Sequence, residues 1–240
     1  MTFVRAPGYF DQIKGKGYPP FEFFVEQNAV TIAQVDGYRN LIEQRSQEKK
    51  LDCYVRENKE LIVNVLDFVS TGHQGAWVIP QQPIKTAFRN VDTGLIPDYL
   101  VCGKNSDGFS WWVIEFKGAD EPLFTVGADR RPKFGAAANK GILQLLEYVD
   151  FCDEFQSTLR EVLRLPDFRP PKGMLIIGRE IEVEENHRLQ RLKAAWNNLT
   201  GTRLEIRTHD ALIRHARMKA EFHEKDISLS DFVFAPRADS

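Results

Sequence analysis

The sequence predicts an α/β protein of the mixed (α+β) kind, in which helices flank one central sheet of mixed strand direction. Three apolar, strand-like segments follow one another in the middle of the chain, and the turn sequence NSDG separates the second from the third. Such a turn between apolar runs is a strong signal for a β-hairpin. Farther along, helical and strand-like segments alternate, which is typical of parallel crossovers. Antiparallel strands followed by crossovers make a mixed sheet.

Composition and charge are those of an ordinary globular protein. The 240-residue chain is 42% hydrophobic and 28% charged, with a formal net charge of −2, so any nucleic-acid binding must come from a local basic patch. No apolar run is long enough for a membrane span, and the first 20 residues lack the apolar stretch of a signal peptide. Three scattered cysteines without a CxxC pair indicate reduced thiols. These features predict a cytoplasmic protein with no membrane partner.

The N-terminal part of the chain predicts an arm followed by helices. Residues 1–36 form the predicted arm, an irregular segment whose aromatic residues pack onto the main domain. From Gly37 to Asn58 the apolar residues lie among charges at helical spacing, which predicts an amphipathic helix with a break near Lys49 and Lys50. The segment ENKELIVNVL predicts a second, shorter helix.

Three strands and a long connection are predicted next. The prolines in AWVIPQQPIKTAF favour an edge strand, and the segments IPDYLVCGK and FSWWVIEFK form the hairpin around NSDG. The segment GADEPLFTVGADRRPKFG, rich in glycine, proline and aspartate, is predicted to be a long loop. Loops of this length are often functional.

The rest of the chain alternates between helix and strand. A long helix in which Gly141 weakens the propensity precedes the buried strand KGMLIIGRE. The helix ENHRLQRLKAAWNNL, the strand RLEIRTH and the helix DALIRHARMKAEFH follow, and Thr208 or Asp210 is predicted to cap the last of them. The main domain is expected to span residues 37–223, and residues 224–240 form a C-terminal tail.

The strand WWVIEFK carries two charged residues at its end, although charged side chains are rarely buried unless they are paired or bind a metal. Glu115 and Lys117 are two positions apart and therefore project from the same face of the strand, whereas Ile114 and Phe116 project from the other. Counting outward from the NSDG turn places Asp98 across from residues 115 to 117. The three charged residues are therefore expected to lie together.

Two carboxylates at one end of a hairpin repel each other unless something compensates their charge. Mg²⁺ takes oxygen ligands, usually one or two carboxylates, and a substrate phosphate can complete its shell. A lysine beside the metal can orient a water and neutralise charge on the reacting phosphate. Asp98, Glu115 and Lys117 are therefore predicted to be the parts of a metal-dependent phosphodiesterase.

The motif Asp98…Glu115-Phe116-Lys117, with Pro97 before Asp98, resembles the PD-(D/E)XK signature of the restriction-endonuclease-like nucleases. The predicted element order αβββαβ is also the core order of that fold. A closer resemblance is to the Shedu-type nucleases, over residues from about 37 to 218. The segments that carry this resemblance include IPDYLV, WWVIEFKGADEPLF, GILQLLEYVDF, GMLIIGR and LEIRTHDALI.

The resemblance implies a DNA endonuclease that uses Mg²⁺, for which Mn²⁺ can substitute, in prokaryotic defence against phage or plasmids. Asp98, Glu115 and the carbonyl group of Phe116 would bind the metal, Lys117 would position the attacking water, and Gln144 would orient Lys117 or that water. The resemblance also implies a homo-oligomer, either a dimer or a tetramer. DNA is the expected partner.

Lys140 is the first candidate for binding DNA. It lies four residues before Gln144, and Tyr148 lies four residues after it, so the three side chains share one helix face. Lys140 would then reach the phosphate of a bound substrate. Because some nucleases of this superfamily add a glutamate from the first helix, Glu43 and Glu57 are candidates for a further metal ligand.

The long loop supplies the other DNA-binding candidates, Arg130, Arg131 and Lys133. They would grip phosphates, although a run of charges in solvent explains them about equally well. An alternative patch would lie on Arg188, Arg191 and Lys193.

Two further functions remain open at this point. One is a catalytically silent module for nucleic-acid binding or assembly on the same fold, which the intact set of aspartate, glutamate and lysine disfavours. The other is a recombination or repair nuclease of the same superfamily. The five histidines lack metal-ligand spacing, and no GxxxxGK[ST] loop is present, so a nucleotide cofactor is not predicted.

Overall fold

A mixed sheet forms the centre of the protein, as the sequence predicts, and it has six strands where the sequence predicts five. The computed structural model describes residues 8–15, 17–26, 29–63, 75–84, 95–200 and 203–233. The strands of the sheet lie in the order β1-β2-β3-β4-β7-β8, and β5 pairs with β6 in a separate hairpin. The bounds are β1 Phe24–Val25, β2 Ala76–Pro80, β3 Tyr99–Asn105, β4 Gly108–Phe116, β5 Phe124–Val126, β6 Pro132–Phe134, β7 Lys172–Ile176 and β8 Leu204–Arg207.

The strand directions explain the mixed sheet. Strands β1 to β4 pair antiparallel with their neighbours, whereas β4, β7 and β8 are parallel to one another. The turn between β3 and β4 is the predicted hairpin, because Asn105 pairs with Gly108. The described helices are α1 Tyr9–Ile13, α2 Ile32–Glu43, α3 Glu48–Glu57, α4 Glu60–Val63, α5 Ala136–Glu154, α6 Gln156–Val162, α7 Ile181–Glu184, α8 His187–Thr200 and α9 His209–Val233, with a short 3₁₀ turn at Phe21–Phe23.

The two faces of the sheet bury two separate hydrophobic cores. Alternate residues of β4 illustrate the division: Trp111 and Val113 enter one core, whereas Trp112, Ile114 and Phe116 enter the other. Helix α5 packs on the first face, and helices α2 and α9 pack on the second. Each large apolar side chain that is fully buried in this way stabilises the fold by roughly 2–3 kcal/mol.

Helix α2 begins earlier than the sequence predicts. It starts at Ile32 rather than Gly37, and Thr31 caps it through reciprocal hydrogen bonds with Gln34. Gly37 lies inside the helix, and a glycine is needed there because the hydroxyl group of Tyr54 occupies the place where a Cβ atom would sit. A glycine that looks like a helix boundary therefore marks a close contact. The break before α3 falls at residues 44–47, a few positions ahead of the predicted one.

The arm joins the sheet instead of remaining irregular. Its strand β1 pairs with β2, so β2 is an inner strand and the prediction of an edge strand was wrong. The predicted packing of the aromatic residues is confirmed, because the rings of Tyr18 and Phe24 lie 5.7 and 5.0 Å from the ring of Trp77. The ends of two predicted segments, at residues 64–66 and 85–88, lie outside the described residues.

The predicted long loop after β4 contains the hairpin β5–β6. The rings of Phe124 and Phe134 stack across this hairpin at 5.1 Å, and Phe134 meets Trp196 of α8 edge-on at 5.2 Å. Each strand has only three residues, so the segment shows no long apolar alternation from which a strand could be predicted. The hairpin is tied to the domain by its aromatic residues.

The last helix also differs in length. Helix α9 continues to Val233, ten residues beyond the predicted end, and residues 234–240 lie outside the described residues. The structure decides between its two candidate caps. The hydroxyl oxygen of Thr208 accepts a hydrogen bond from the backbone N–H of Ala211. Asp210 instead accepts hydrogen bonds from the Arg179 side chain and from the backbone N–H of Glu180.

Candidate active site

The hairpin brings Asp98 next to the end of β4. Tyr99 pairs with Ile114, so Asp98, one residue before β3, lies opposite Glu115. An oxygen of the Asp98 carboxylate accepts a hydrogen bond of 2.8 Å from the backbone N–H of Phe116. The juxtaposition predicted from the turn is therefore present.

Glu115 and Lys117 form a buried ion pair on the same side of β4. The Lys117 Nζ atom lies 2.6 Å from Glu115 Oε1, and the two residues are only 6% and 3% exposed. Glu115 Oε2 is also buried but accepts no hydrogen bond from any described residue. Buried polar atoms usually have a hydrogen-bond partner, so this oxygen retains the capacity to bind a ligand.

Both carboxylates are easier to protonate than carboxylates in water. Burial raises the pKa of Glu115 to about 7, and the nearby charge of Asp98 adds to this effect, whereas Lys117 opposes it. Burial likewise raises the pKa of Asp98 to about 6, against the opposing hydrogen bond from Phe116. The site therefore holds two carboxylates whose negative charge a single lysine does not offset.

Gly141 allows helix α5 to approach the ion pair. A Cβ atom at this position would lie 2.6 Å from Leu175 Cδ1 and 3.4 Å from the Cε atom of Lys117. The glycine that weakens the helix propensity is therefore needed for packing against the lysine side chain and the strand beneath it. One turn farther along, the same helix presents Gln144.

Gln144 and Tyr148 extend the site along α5. The Gln144 side-chain nitrogen lies 3.4 Å from the Tyr148 hydroxyl, which donates to the carbonyl oxygen of Ile96 at 3.2 Å. Burial, and then the charge of Glu115, raise the pKa of Tyr148 to about 12. Gln144 Oε1 is buried and accepts no hydrogen bond from the described part of the chain. It is the second such acceptor here, beside Glu115 Oε2.

The predicted basic residues lie outside this buried centre. Lys140 is exposed one helical turn before Gln144, and Arg130, Arg131 and Lys133 are exposed on the β5–β6 hairpin. Arg188 at the start of α8 donates to the carbonyl oxygen of Arg130 at 3.4 Å. The hairpin and α8 thus form one continuous surface, named here the hairpin–α8 surface, with the exposed residues Arg130, Arg131, Lys133, Arg188 and Arg191.

The two glutamates considered for the first helix have other neighbours. Glu43 lines a groove with Arg39 and Arg179, and Glu57 accepts a weak hydrogen bond from Cys53.

The residue on these helices whose charge raises the pKa of both Asp98 and Glu115 is Glu48, the first residue of α3. No sequence pattern distinguishes Glu48, because Asp52, four residues later on the same helix, is seen to be buried only in the folded structure. Asp52 itself accepts a hydrogen bond of 2.8 Å from the hydroxyl group of Tyr99.

The chemistry of these residues fits a hard divalent cation. The cluster offers two carboxylates, and one of their buried oxygens has no hydrogen bond from the described residues. No group of three or more histidine, cysteine or acidic side chains with metal-binding geometry occurs within the described ranges. A site with two carboxylates suits Mg²⁺, which keeps several waters, better than zinc, which usually takes four protein ligands at structural sites.

Fold and site together define a class: an α/β protein in which a half-buried aspartate beside one central strand meets a buried glutamate and lysine at the end of the next. Within this class, the family model described as Shedu protein SduA, C-terminal, matches residues 45–213. The match covers more than half of the chain, and the protein belongs to this family. Membership suggests a role in anti-phage defence, since the family is associated with defence nucleases.

No curated protein matches the chain. Among the described helices, none combines the length and apolar character needed to cross a membrane.

Proposed function

We propose that the protein is a Mg²⁺-dependent DNA endonuclease that acts in defence against phage or plasmids. The observation that supports this most strongly is the arrangement at the ends of β3 and β4. There Asp98 is bound to the backbone of Phe116, and Glu115 is paired with Lys117. An apolar strand rarely buries charged groups, so the burial of Glu115 and Lys117 beside the half-buried Asp98 is best explained by chemistry.

Asp98, Glu115 and the carbonyl group of Phe116 would hold the metal, and Mn²⁺ would substitute for Mg²⁺. When bound, the cation neutralises negative charge on the phosphate and on the two carboxylates. The buried Glu115 Oε2 atom, which accepts no hydrogen bond from the described residues, supports this assignment. So does the raised pKa of each carboxyl group, which burial causes first and neighbouring negative charge adds to, because a bound cation would favour the charged form of both groups.

Lys117 and Gln144 would act on the attacking water. The Nζ atom of Lys117, held by Glu115, would orient that water, and the buried Oε1 atom of Gln144 would accept one of its hydrogen bonds. In-line attack on phosphorus would break the bond to the 3′ oxygen of the preceding sugar. The products would be a 5′-phosphate and a 3′-hydroxyl.

Lys140 and the hairpin–α8 surface would bind the DNA backbone. Phosphate contacts position a duplex without selecting its sequence, and exposed arginine and lysine side chains suit this role. Because the net charge of the chain is −2, the local surface must supply the attraction. We also propose a homo-oligomer, a dimer or a tetramer, which light scattering of the purified protein tests.

Cleavage assays test the function directly. Linear, nicked and single-stranded DNA are incubated with the protein in Mg²⁺, Mn²⁺, Ca²⁺ or excess EDTA. We expect cleavage in Mg²⁺ and Mn²⁺, binding without turnover in Ca²⁺, and neither cleavage nor nicking in EDTA. Full activity in EDTA contradicts the metal-dependent mechanism. DNA binding without cleavage under every condition supports the alternative of a silent binding module.

A further inference from the structure

Behind the proposed active site, two buried side chains hold the backbone of Lys117. His209 Nε2 lies 2.8 Å from the carbonyl oxygen of Lys117, and His209 Nδ1 lies 2.7 Å from the hydroxyl oxygen of Tyr38. Both His209 and Tyr38 are completely buried. The histidine is the first residue of α9 and the tyrosine lies in α2, so the last described helix and an early one meet at the end of β4.

The chemistry of the partners determines where the protons lie. A carbonyl oxygen only accepts, so Nε2 carries the ring proton and donates it to Lys117. Burial lowers the pKa of His209 to about 4 and keeps the ring neutral, so Nδ1 is an acceptor. The Tyr38 hydroxyl therefore donates to Nδ1. The direction of donation runs from Tyr38 through His209 to Lys117, and both ring nitrogens are satisfied.

Backbone hydrogen bonds tie the same region together. The N–H of Lys117 donates to the carbonyl oxygen of Ile176 at 2.8 Å, and the N–H of Gly178 donates to Gly118 at 3.1 Å. The N–H of His209 donates to the carbonyl oxygen of Gly178 at 3.2 Å. The histidine thus bonds to the end of β4 through its side chain and to the segment after β7 through its backbone.

Aromatic packing restricts the imidazole ring. Its centroid lies 6.0 Å from the Tyr38 ring and 5.9 Å from the Phe116 ring. The Tyr38 ring stacks in turn on Tyr54 at 6.0 Å, and Phe116 packs edge-on against Tyr99 at 5.5 Å. A ring held on both sides and bonded at both nitrogens has one orientation, which is the property that a positioning group needs.

We infer that His209 and Tyr38 are positioning residues for Lys117. His209 fixes the peptide that carries the lysine, and Tyr38 holds the imidazole in the tautomer that donates to it. This inference rests on the proposed nuclease function. A lysine has a long, flexible side chain, so a small shift of its backbone moves Nζ relative to Glu115 and the substrate, and misplacement by about 1 Å can lower a rate about 100-fold.

Three variants separate the hydrogen bond from the mere presence of a side chain. His209→Leu removes the donor, His209→Gln retains an N–H group near the position of Nε2, and Tyr38→Phe removes only the hydroxyl group. We expect kcat to fall about 10- to 100-fold in His209→Leu, less in Tyr38→Phe, and to recover largely in His209→Gln. KM and DNA affinity stay unchanged, because none of these atoms lies on the surface.

The double variant tests whether Tyr38 acts on Lys117 only through His209. Tyr38→Phe combined with His209→Leu should cleave no more slowly than His209→Leu alone, because the hydroxyl group acts only through the imidazole. Rates are corrected for the folded fraction at a temperature well below each Tm. Phe168→Leu serves as the control for lost packing, since Phe168 is fully buried in the other core, beside Trp111.

Amide hydrogen exchange of the metal-free protein provides a readout that does not depend on cleavage. We expect faster exchange at residues 117–119 and 178 in His209→Leu than in wild type, with His209→Gln and Phe168→Leu close to wild type there. If His209→Leu does not fold, Tyr38→Phe, which keeps the ring, is compared with wild type in its place.

The outcomes keep the two proposals apart. If the wild-type protein does not cleave DNA, the nuclease function is overturned. The exchange data then still decide whether His209 holds the Lys117 peptide. If amide exchange at residues 117–119 and 178 is as slow in His209→Leu and Tyr38→Phe as in wild type, the positioning role is overturned. An active wild-type enzyme whose His209→Leu variant cleaves at the same kcat overturns it too.

Discussion

The Nζ atom of Lys117 lies 2.6 Å from Glu115 Oε1 at a place where both side chains are at least 93% buried. Removing two charges from water is costly, and an apolar pair of similar volume often gives equal or greater stability. Asp98 on the neighbouring strand adds a second carboxylate to the same site. The arrangement opposes stability, so it is best explained by a function for which charge is needed at this position.

Lys117→Ala is expected to keep the fold and most of the DNA affinity while abolishing cleavage. Loss of an electrostatic group of this kind lowers kcat by roughly 100-fold or more. Glu115 can take up a proton when its partner is removed, because burial raises its pKa to about 7, so the variant is not left with a fixed buried charge. Cleavage rate, DNA binding and Tm are measured together.

Lys117→Met is the matched control for volume, since it keeps an unbranched side chain without the charge. Both variants should bind DNA and fail to cleave it. A Lys117→Ala protein that cuts at the wild-type rate refutes the catalytic role. If Lys117→Ala unfolds while Lys117→Met remains folded and fully active, the role of Lys117 is packing.

Glu115→Gln is expected to change how stability depends on pH in the metal-free protein. The folded-state pKa of Glu115 is raised to about 7 from an ordinary value of 4.5. The stabilisation of the folded state that comes from this raised pKa is therefore fully present below about pH 4.5 and is lost as pH rises through about 7. Relative to Glu115→Gln, the wild type should lose on the order of 3 kcal/mol between pH 4 and pH 8.

Thermal unfolding of the two proteins in EDTA measures this difference, and comparison with the variant removes the contributions of groups that both proteins share. Added Mg²⁺ should reverse the trend, because metal binding requires the deprotonated carboxylate and stabilises the wild type more at pH 8 than at pH 5. Parallel Tm curves for the two proteins in EDTA would show that burial of Glu115 does not raise its pKa.

Replacing Arg130, Arg131 and Lys133 together by glutamine is expected to weaken DNA binding equally for different sequences. The slope of log K against log salt should fall by up to about 2.7, because each neutralised phosphate contributes roughly 0.9. The control replaces Arg164, Lys172 and Arg203, of which the last two lie at the starts of β7 and β8, away from the proposed site. Equal slopes for wild type and the hairpin variant would show that these three side chains do not contact DNA phosphates.

Gly141→Ala is expected to reduce cleavage by about tenfold or more, because the added methyl group displaces Leu175 or the lysine side chain. It should also fail to give the stabilisation of about 1 kcal/mol that alanine usually brings to a helix. Glu147→Ala, an exposed position on the same helix, is the control and should leave both rate and Tm close to wild type. A more stable, fully active Gly141→Ala protein would contradict the proposed close approach.

Local rules allowed the sequence to predict much of this protein. Side chains alternate along a strand, and a two-residue turn pairs the strands that flank it, so the NSDG turn placed Asp98 opposite the end of β4. Helical spacing put Gln144 and Tyr148 on one face of α5. In the structure the two side chains form a hydrogen bond, and Tyr148 lies close enough to Glu115 for its charge to raise the tyrosine pKa. The mixed sheet followed from the order of the segments.

Other features were decided only by the tertiary structure, because they depend on residues far apart in the chain. Gly37 and Gly141 weaken a helix by local propensity, yet each is needed where another element approaches closely. Strand β1 is two residues long and exists because β2 offers it hydrogen bonds. The same holds for Glu48, which acts on Asp98 across the fold, and for His209, whose sequence neighbours do not indicate that it bonds to Lys117 and Tyr38. Sequence alone thus determined the charged groups of the candidate site and their order along the strands. Packing between distant segments determined which other side chains surround that site.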